Sequence, residues 1–184
     1  MVEPQTAERA IWWLGETKGF WVQTGALFAS AIGALWIVYS RARSERKRAT
    51  VDLVLHQKMD PEFVKSKQEF IRLRDTQNLA QYISNTDTDQ FRTILKILNS
   101  HEFAACGIRG RAYHEKLYKR MQCSTVIRDW DALSGFVAEF RRANKHRTAD
   151  GTGMSFYQDF EWLAIRWKKH PLKPGQYSWW WPWS

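Results

Sequence analysis

Two Arg–His pairs, Arg109 to His114 and Arg141 to His146, each with four intervening residues, have the types and spacing that could do chemistry. Chance accounts for the pattern, because 16 Arg and five His in 184 residues, with four to six intervening residues allowed, give about 1.3 such pairs against the two present. Glu102 and Glu161 fall on otherwise apolar helix faces and need partners. Arg109, Arg141 and Arg166 are the candidates, as structural ion pairs rather than catalytic groups. Cys106 and Cys123 form no Cys-x-x-Cys pair, and no histidines are paired at ligand spacing, so there is no zinc signature. No Gly-x-Ser-x-Gly, P-loop, His-Glu-x-x-His or dinucleotide fingerprint occurs. The sequence therefore predicts no enzyme, no catalytic residue, no metal and no cofactor.

Charge offers a different chemistry. Arg109, Arg111, Lys116, Lys119 and Arg120 crowd one short stretch with few balancing acids, which predicts binding of a polyanion, nucleic acid or nucleotide, that weakens with salt. The whole chain carries a net charge of +9, and from Arg41 onward 26 basic residues face 16 acidic ones, a net +10. Such an excess implies an anionic neighbour: the inner membrane leaflet, nucleic acid or a phosphorylated ligand.

These residues must be held by an element that explains the stretch before them. Phe20 to Tyr39 carries no charge and, as a helix, is roughly 30 Å long, about the thickness of a bilayer core. A cleaved signal peptide does not fit, because the N-terminus mixes Glu3, Glu8 and Glu16 with Arg9 and Lys18, and the only Ala-x-Ala, Ala29 to Ala31, lies inside the apolar run. A retained transmembrane helix over residues 20–40 is the expectation. Arg41, Arg43, Arg46, Lys47 and Arg48 crowd one end, which places that end in the cytoplasm of an inner membrane, against anionic lipid, and the N-terminal residues 1–19 outside. Trp12, Trp13 and Trp21 at one end, with Trp36 and Tyr39 at the other, read as interfacial anchors. Within the span, Gly25, Ala29 and Gly33 recur every four residues, and Ala26, Ser30 and Ala34 form a second small face beside them. Small faces let membrane helices approach closely, and two adjacent ones suit a cyclic homo-oligomer better than a two-fold dimer. The two cysteines then lie on the reducing side, where no structural disulfide is expected.

After the span, residues 41–59 predict a basic juxtamembrane helix continuing the same rod to about Lys58, stopped by Asp60 and Pro61, which suit the N-cap and first position of the next helix. Phe63, Val64, Phe70, Ile71, Leu79 and Ile83 give that helix an apolar face, and residues 84–90 form a turn and cap. Phe91, Ile94, Leu95, Leu98, Glu102, Ala105 and Cys106 mark a third helix, broken at Gly107 and Gly110. Tyr113, Leu117 and Met121 predict a short helix, and Ser124 is read as the cap of a long one carrying Val126, Trp130, Leu133, Phe136, Val137 and Phe140. Residues 147–153 are the linker, and Ser155 starts a last helix that Pro171 and Pro174 end. No strand alternation and no repeat occurs, so the fold class is all-α: a single membrane helix, then a helical bundle over 60–170, then a Trp-rich tail, 171–184. In that tail Trp179, Trp180, Trp181 and Trp183 expose enough apolar surface to want a neighbouring subunit or the inner leaflet.

Residues 97–121, with the Trp130 helix and "SFYQDFEWLAIRWKK", resemble a bacterial and phage family catalogued as a domain of unknown function. The resemblance covers about residues 41–169 by order and spacing, is most specific over Phe160 to Trp167, and departs at Arg111, where the family often has an acid. It implies one N-terminal membrane helix and a cytosolic helical domain, with Leu98, Phe103, Trp130, Phe140, Phe160 and Leu163 in the core. The architecture is similar, more loosely, to the membrane accessory proteins of type VI-B CRISPR systems, which implies a ring-forming pore used in antiphage defence and a partner protein of that system. The Arg–His spacing resembles that of HEPN-type ribonucleases. "GIRG", Gly107 to Gly110, resembles the clamp loop of KH domains but lacks the flanking strands, and a helix C-cap followed by a turn accounts for it. Three functions are therefore in view: an oligomeric inner-membrane pore controlled by its cytosolic domain, a passive tether that binds a partner or nucleic acid, and a membrane-bound ribonuclease.

Overall fold

The computed structural model describes the backbone of residues 5–76, 78–147, 151 and 153–172, and within those ranges the side chains from Gly19 onward except that of Thr76. Trp12 and Trp13 as side chains, and Trp179, Trp180, Trp181 and Trp183 altogether, lie outside the described residues. The chain is all-helical, with no strand among the described residues. Among the described residues five α-helices follow in order: α1 Gln5–Met59, α2 Pro61–Thr76, α3 Asp89–Arg109, α4 Glu115–Ala143 and α5 Gln158–Lys169. By contacts the chain divides into two units, Met1–Glu45 and Arg46–Ser184.

The first unit is the N-terminal part of α1. From Gly19 to Ser40 every side chain except the half-buried Thr24 is exposed, including Phe20, Trp21, Leu27, Phe28, Leu35 and Trp36. The helix from Gly19 is long and apolar enough to cross a membrane, and none of its apolar window is buried against protein. Helix α1 is uninterrupted as far as Met59, so the basic residues after Ser40 stand on the same rod, as the absence of any breaker predicts.

In the second unit, α2 begins as expected. The Asp60 carboxylate accepts the Glu62 amide at 2.9 Å, and Pro61 occupies the first helical position, where its missing N–H costs nothing. That helix stops at Thr76, and Leu79 with Ile83 belong to a separate 3-10 segment, Leu79–Ser84, opened by the Asn78 side chain on the Ala80 amide. Thr88 caps α3 by accepting the Phe91 amide at 3.2 Å. Helix α3 packs against α2 and α5, while α4 packs against α5 and the 3-10 segment, around one core that includes Phe70, Ile94, Leu98, Leu133, Phe136, Phe160 and Trp167.

Three further boundaries differ from the sequence expectation. Gly107 does not break α3, which runs through it to Arg109. A Cβ at Gly107 would overlap the Tyr113 ring, so glycine is there to let Tyr113 lie against the helix backbone. Gly110 is the C-cap, and the left-handed residue that turns the chain is Arg111, at φ 60°. Ser124 is not a cap, because residues 115–143 form one helix whose N-cap is His114, with Nδ1 accepting the Leu117 amide at 3.3 Å. The last helix starts at Gln158 rather than Ser155, and its N-cap, Tyr157, is itself left-handed at φ 58°. Phe103, expected in the core, is 61% exposed and meets Tyr113 edge-on.

Candidate functional site

Helices α2, α3 and α4 each bring polar side chains to one buried point. Asp129 on α4 is completely buried. Its Oδ2 accepts from Lys67 Nζ on α2 and from His101 Nε2 on α3 at 2.9 Å, and its Oδ1 accepts from Arg74 Nη1 on α2 at 3.1 Å. Arg74 is also held by Asp75 at 2.8 Å. Burial alone would raise the Asp129 carboxyl, but the hydrogen bond from His101 and the charge and hydrogen bond of Lys67 outweigh it and hold the group at about 2. An ionised carboxylate only accepts, so His101 Nε2 carries the proton in this bond. Burial pushes the His101 pKa down against the pull of Asp129, which favours the neutral ring, and that ring stacks on Phe160 with centroids 4.6 Å apart. Burial also lowers the pKa of Lys67, against the raising effect of Asp129.

Beside this cluster is a cavity of about 280 Å³, walled by the end of α1, by α2, α3 and α4. Lys67, His101 and Tyr118 line it, with Phe63 and Val64 on the apolar side. A wider groove of about 720 Å³ runs along α2 and α3, but six of its seven charged residues pair with one another: Lys96 with Glu62 at 2.7 Å, Arg72 with Glu69 at 2.8 Å and Arg92 with Asp89 at 3.5 Å. The smaller cavity, with convergent polar groups and shifted pKa values, is the better candidate. No group of three or more metal-ligating side chains occurs among the described residues.

The residues expected from sequence scatter. Glu161 does pair with Arg141, at 2.8 Å. Glu102 binds no arginine; its carboxylate crosses from α3 to accept the amides of Asp159 at 3.3 Å and Phe160 at 2.7 Å, capping α5, whose own N-cap residue supplies no side chain. Burial raises the Glu102 pKa against those two amide bonds. Arg109 pairs with Asp159 and lies over Trp162, 5.6 Å from the ring centre, and Arg166 lies over the same ring at 5.5 Å while pairing with Glu115 at 3.0 Å. Arg141 is buried, giving Nε to the Phe156 carbonyl at 2.9 Å, and His146 is exposed on a short 3-10 turn. Of the basic cluster, Arg109 is committed to Asp159 and Lys119 to the His170 carbonyl, which leaves Arg111, Lys116 and Arg120 exposed. Arg41, Arg43, Arg46, Lys47 and Arg48 are all exposed on α1, as are Gly25, Ala26, Ala29, Ser30, Gly33 and Ala34.

Sequence reasoning missed Asp129, Lys67, Arg74, His101 and Tyr118. A signal was there. Asp129 lies three residues after Val126 and four before Leu133, and His101 three after Leu98 and four before Ala105, so both stand on buried stripes.

Residues 24–167 match the model of a family described as Domain of unknown function (DUF4760), and since that is most of the chain, the protein belongs to this family. No curated protein and no solved structure matches it.

Proposed function

We propose that this member of the DUF4760 family is a single-span protein of the inner membrane, N-terminus outside, whose apolar helix assembles into a cyclic homo-oligomer. The ring perturbs the membrane as a pore under the control of its cytosolic helical domain. The observation that carries this reading is the stretch from Phe20 to Tyr39, uncharged throughout yet exposed along its length except at half-buried Thr24, with two small-residue faces on which no described residue packs. Such a helix finds its solvent in lipid, and its small faces find contact in copies of itself. Exposed Arg41, Arg43, Arg46, Lys47 and Arg48 suit the anionic inner leaflet and support the orientation. The resemblance to type VI-B accessory proteins supports a role in antiphage defence. The ribonuclease reading loses ground, because Arg109, Arg141 and His114 already hold Asp159, Glu161 and the start of α4.

The test is the double variant Gly25→Leu plus Gly33→Leu, read by oligomeric mass in detergent and by ion flux from liposomes. Both should be lost while the domain keeps its melting temperature. Full mass and full flux in the double variant would reduce the span to an anchor and leave the passive tether as the function.

A further inference from the structure

We infer that the cavity between α2, α3 and α4 binds a small organic anion, with its carboxylate or phosphate head on Lys67 and Tyr118 and its apolar body against Phe63 and Val64. The lining holds Lys58, Lys67 and His101 and no acidic residue. Lys67 has three N–H donors, of which Asp129 takes one, so donors remain on a lysine that faces the cavity. Tyr118 is only 2% exposed, lines the same cavity, and its hydroxyl has no protein hydrogen-bond partner among the described residues. The oxygen itself is not sealed from solvent, so it opens into the cavity. Burial, with the nearby charge of Asp129, pushes the Tyr118 pKa up, so this hydroxyl stays a donor. An ammonium and a phenol donor together match an oxyanion, and charge-assisted bonds of this kind are the strong ones.

Size narrows the class. At about 280 Å³ the cavity lies at the small end of ligand sites, which suits a single-ring molecule and not a dinucleotide or a peptide. Gln122 and Thr125 on α4 and Gln57 on α1 add hydrogen-bonding groups at the wall, where Gln57 already gives its amide to Ser100 at 2.8 Å. The cavity lies within residues 46–184, so the inference stands apart from whether the apolar helix forms a pore.

The experiment uses the full chain in detergent, with benzoate and phenyl phosphate as probes and benzyl alcohol as the neutral comparison, read by calorimetry and by melting temperature. At least one anion should bind saturably and raise the melting temperature, its identity deciding between a carboxylate and a phosphate head, while benzyl alcohol should not bind. Tyr118→Phe removes a hydroxyl that holds nothing in the protein, so it should fold normally and bind about tenfold more weakly, the loss of one hydrogen bond to a charged group. Lys67→Gln, which can still donate to Asp129, should abolish binding. If Lys67→Gln fails to fold, Tyr118→Phe decides alone. Inorganic phosphate at equal concentration controls for the exposed basic residues, whose binding neither variant should change. The inference is overturned if neither anion saturates, if benzyl alcohol binds as well as benzoate, or if Tyr118→Phe binds as tightly as the unaltered chain.

Discussion

Gly33 and Gly107 both lie inside helices, and their surroundings have nothing in common. A Cβ added at Gly33 meets no atom within 4 Å, whereas one at Gly107 would run into the Tyr113 ring. The same contrast separates the two units. In the N-terminal part of α1, Leu35, Trp36 and Ile37 face outward, while in the helical domain Leu98, Leu133 and Trp167 are sealed. Apolar residues of one kind thus have two fates, and composition alone does not distinguish them. What does is periodicity: α3 to α5 alternate apolar and polar faces, so each has an inside, but residues 20–39 carry no charge, only Gln23, Thr24 and Ser30 interrupt their apolar surface, and they have none. The domain is stabilised by its own core, and the apolar window of α1 is buried in none of it.

Truncation tests that contrast most strongly. Leu133→Ala opens a hole in a core residue of zero exposure and should cost about 2 to 5 kcal/mol in denaturant unfolding of the domain, while Leu35→Ala should leave that unfolding midpoint unchanged. An equal loss from Leu35→Ala would mean that the apolar helix is packed against the domain after all. The glycines sharpen the point at smaller scale. Gly107→Ala should destabilise by about 1 to 3 kcal/mol through displacement of Tyr113, and Gly33→Ala should not change thermal stability. Next comes Glu102→Ala, which strips the cap from α5 and should cost about 1 to 2 kcal/mol in the melting of the domain, with loss of protection in hydrogen exchange concentrated at Asp159 and Phe160.

The smallest effect per step is on pH, and only the domain should feel it. His101 is pushed below its ordinary 6.5 in the folded state, so the unfolded chain takes up the proton first; stability is full above about 6.5 and declines below it, by at most about 1.4 kcal/mol per pH unit for one proton. Asp129 has the same sign in a lower window. Its folded pKa of about 2 stabilises the protein above roughly 4, and that contribution is lost as pH falls from there to 2. His101→Gln should flatten the upper decline in a series of melts from pH 7.5 to 4.5. A slope that survives the substitution would assign it to another group.

The sequence by itself determined the all-helical class, the length and apolarity of the first helix, its continuation through the basic block, and the starts of α2 and α3. Each of these is local: hydrophobic period, absence of a breaker, or a cap within three residues of the amide it serves. Only tertiary structure decided the rest. Ser124 has the chemistry of a cap but lies in mid-helix, because apolar residues on both sides, from Tyr118 to Phe136, pack into one core and carry the helix through. His114 caps α4 instead, and its own amide donates to the buried Thr50 hydroxyl at 2.8 Å, across 64 residues. Glu102 looked like an ion-pair partner, yet 57 and 58 residues of separation bring two unpaired amides to it, and two N–H groups in good geometry win over a more distant guanidinium. The Asp129 cluster follows the same rule. Its place on the Val126–Leu133 stripe marks Asp129 as buried, but nothing near it in the chain names its partners, for Lys67, Arg74 and His101 arrive from 62, 55 and 28 residues away, and a buried charge is tolerated only because all three do.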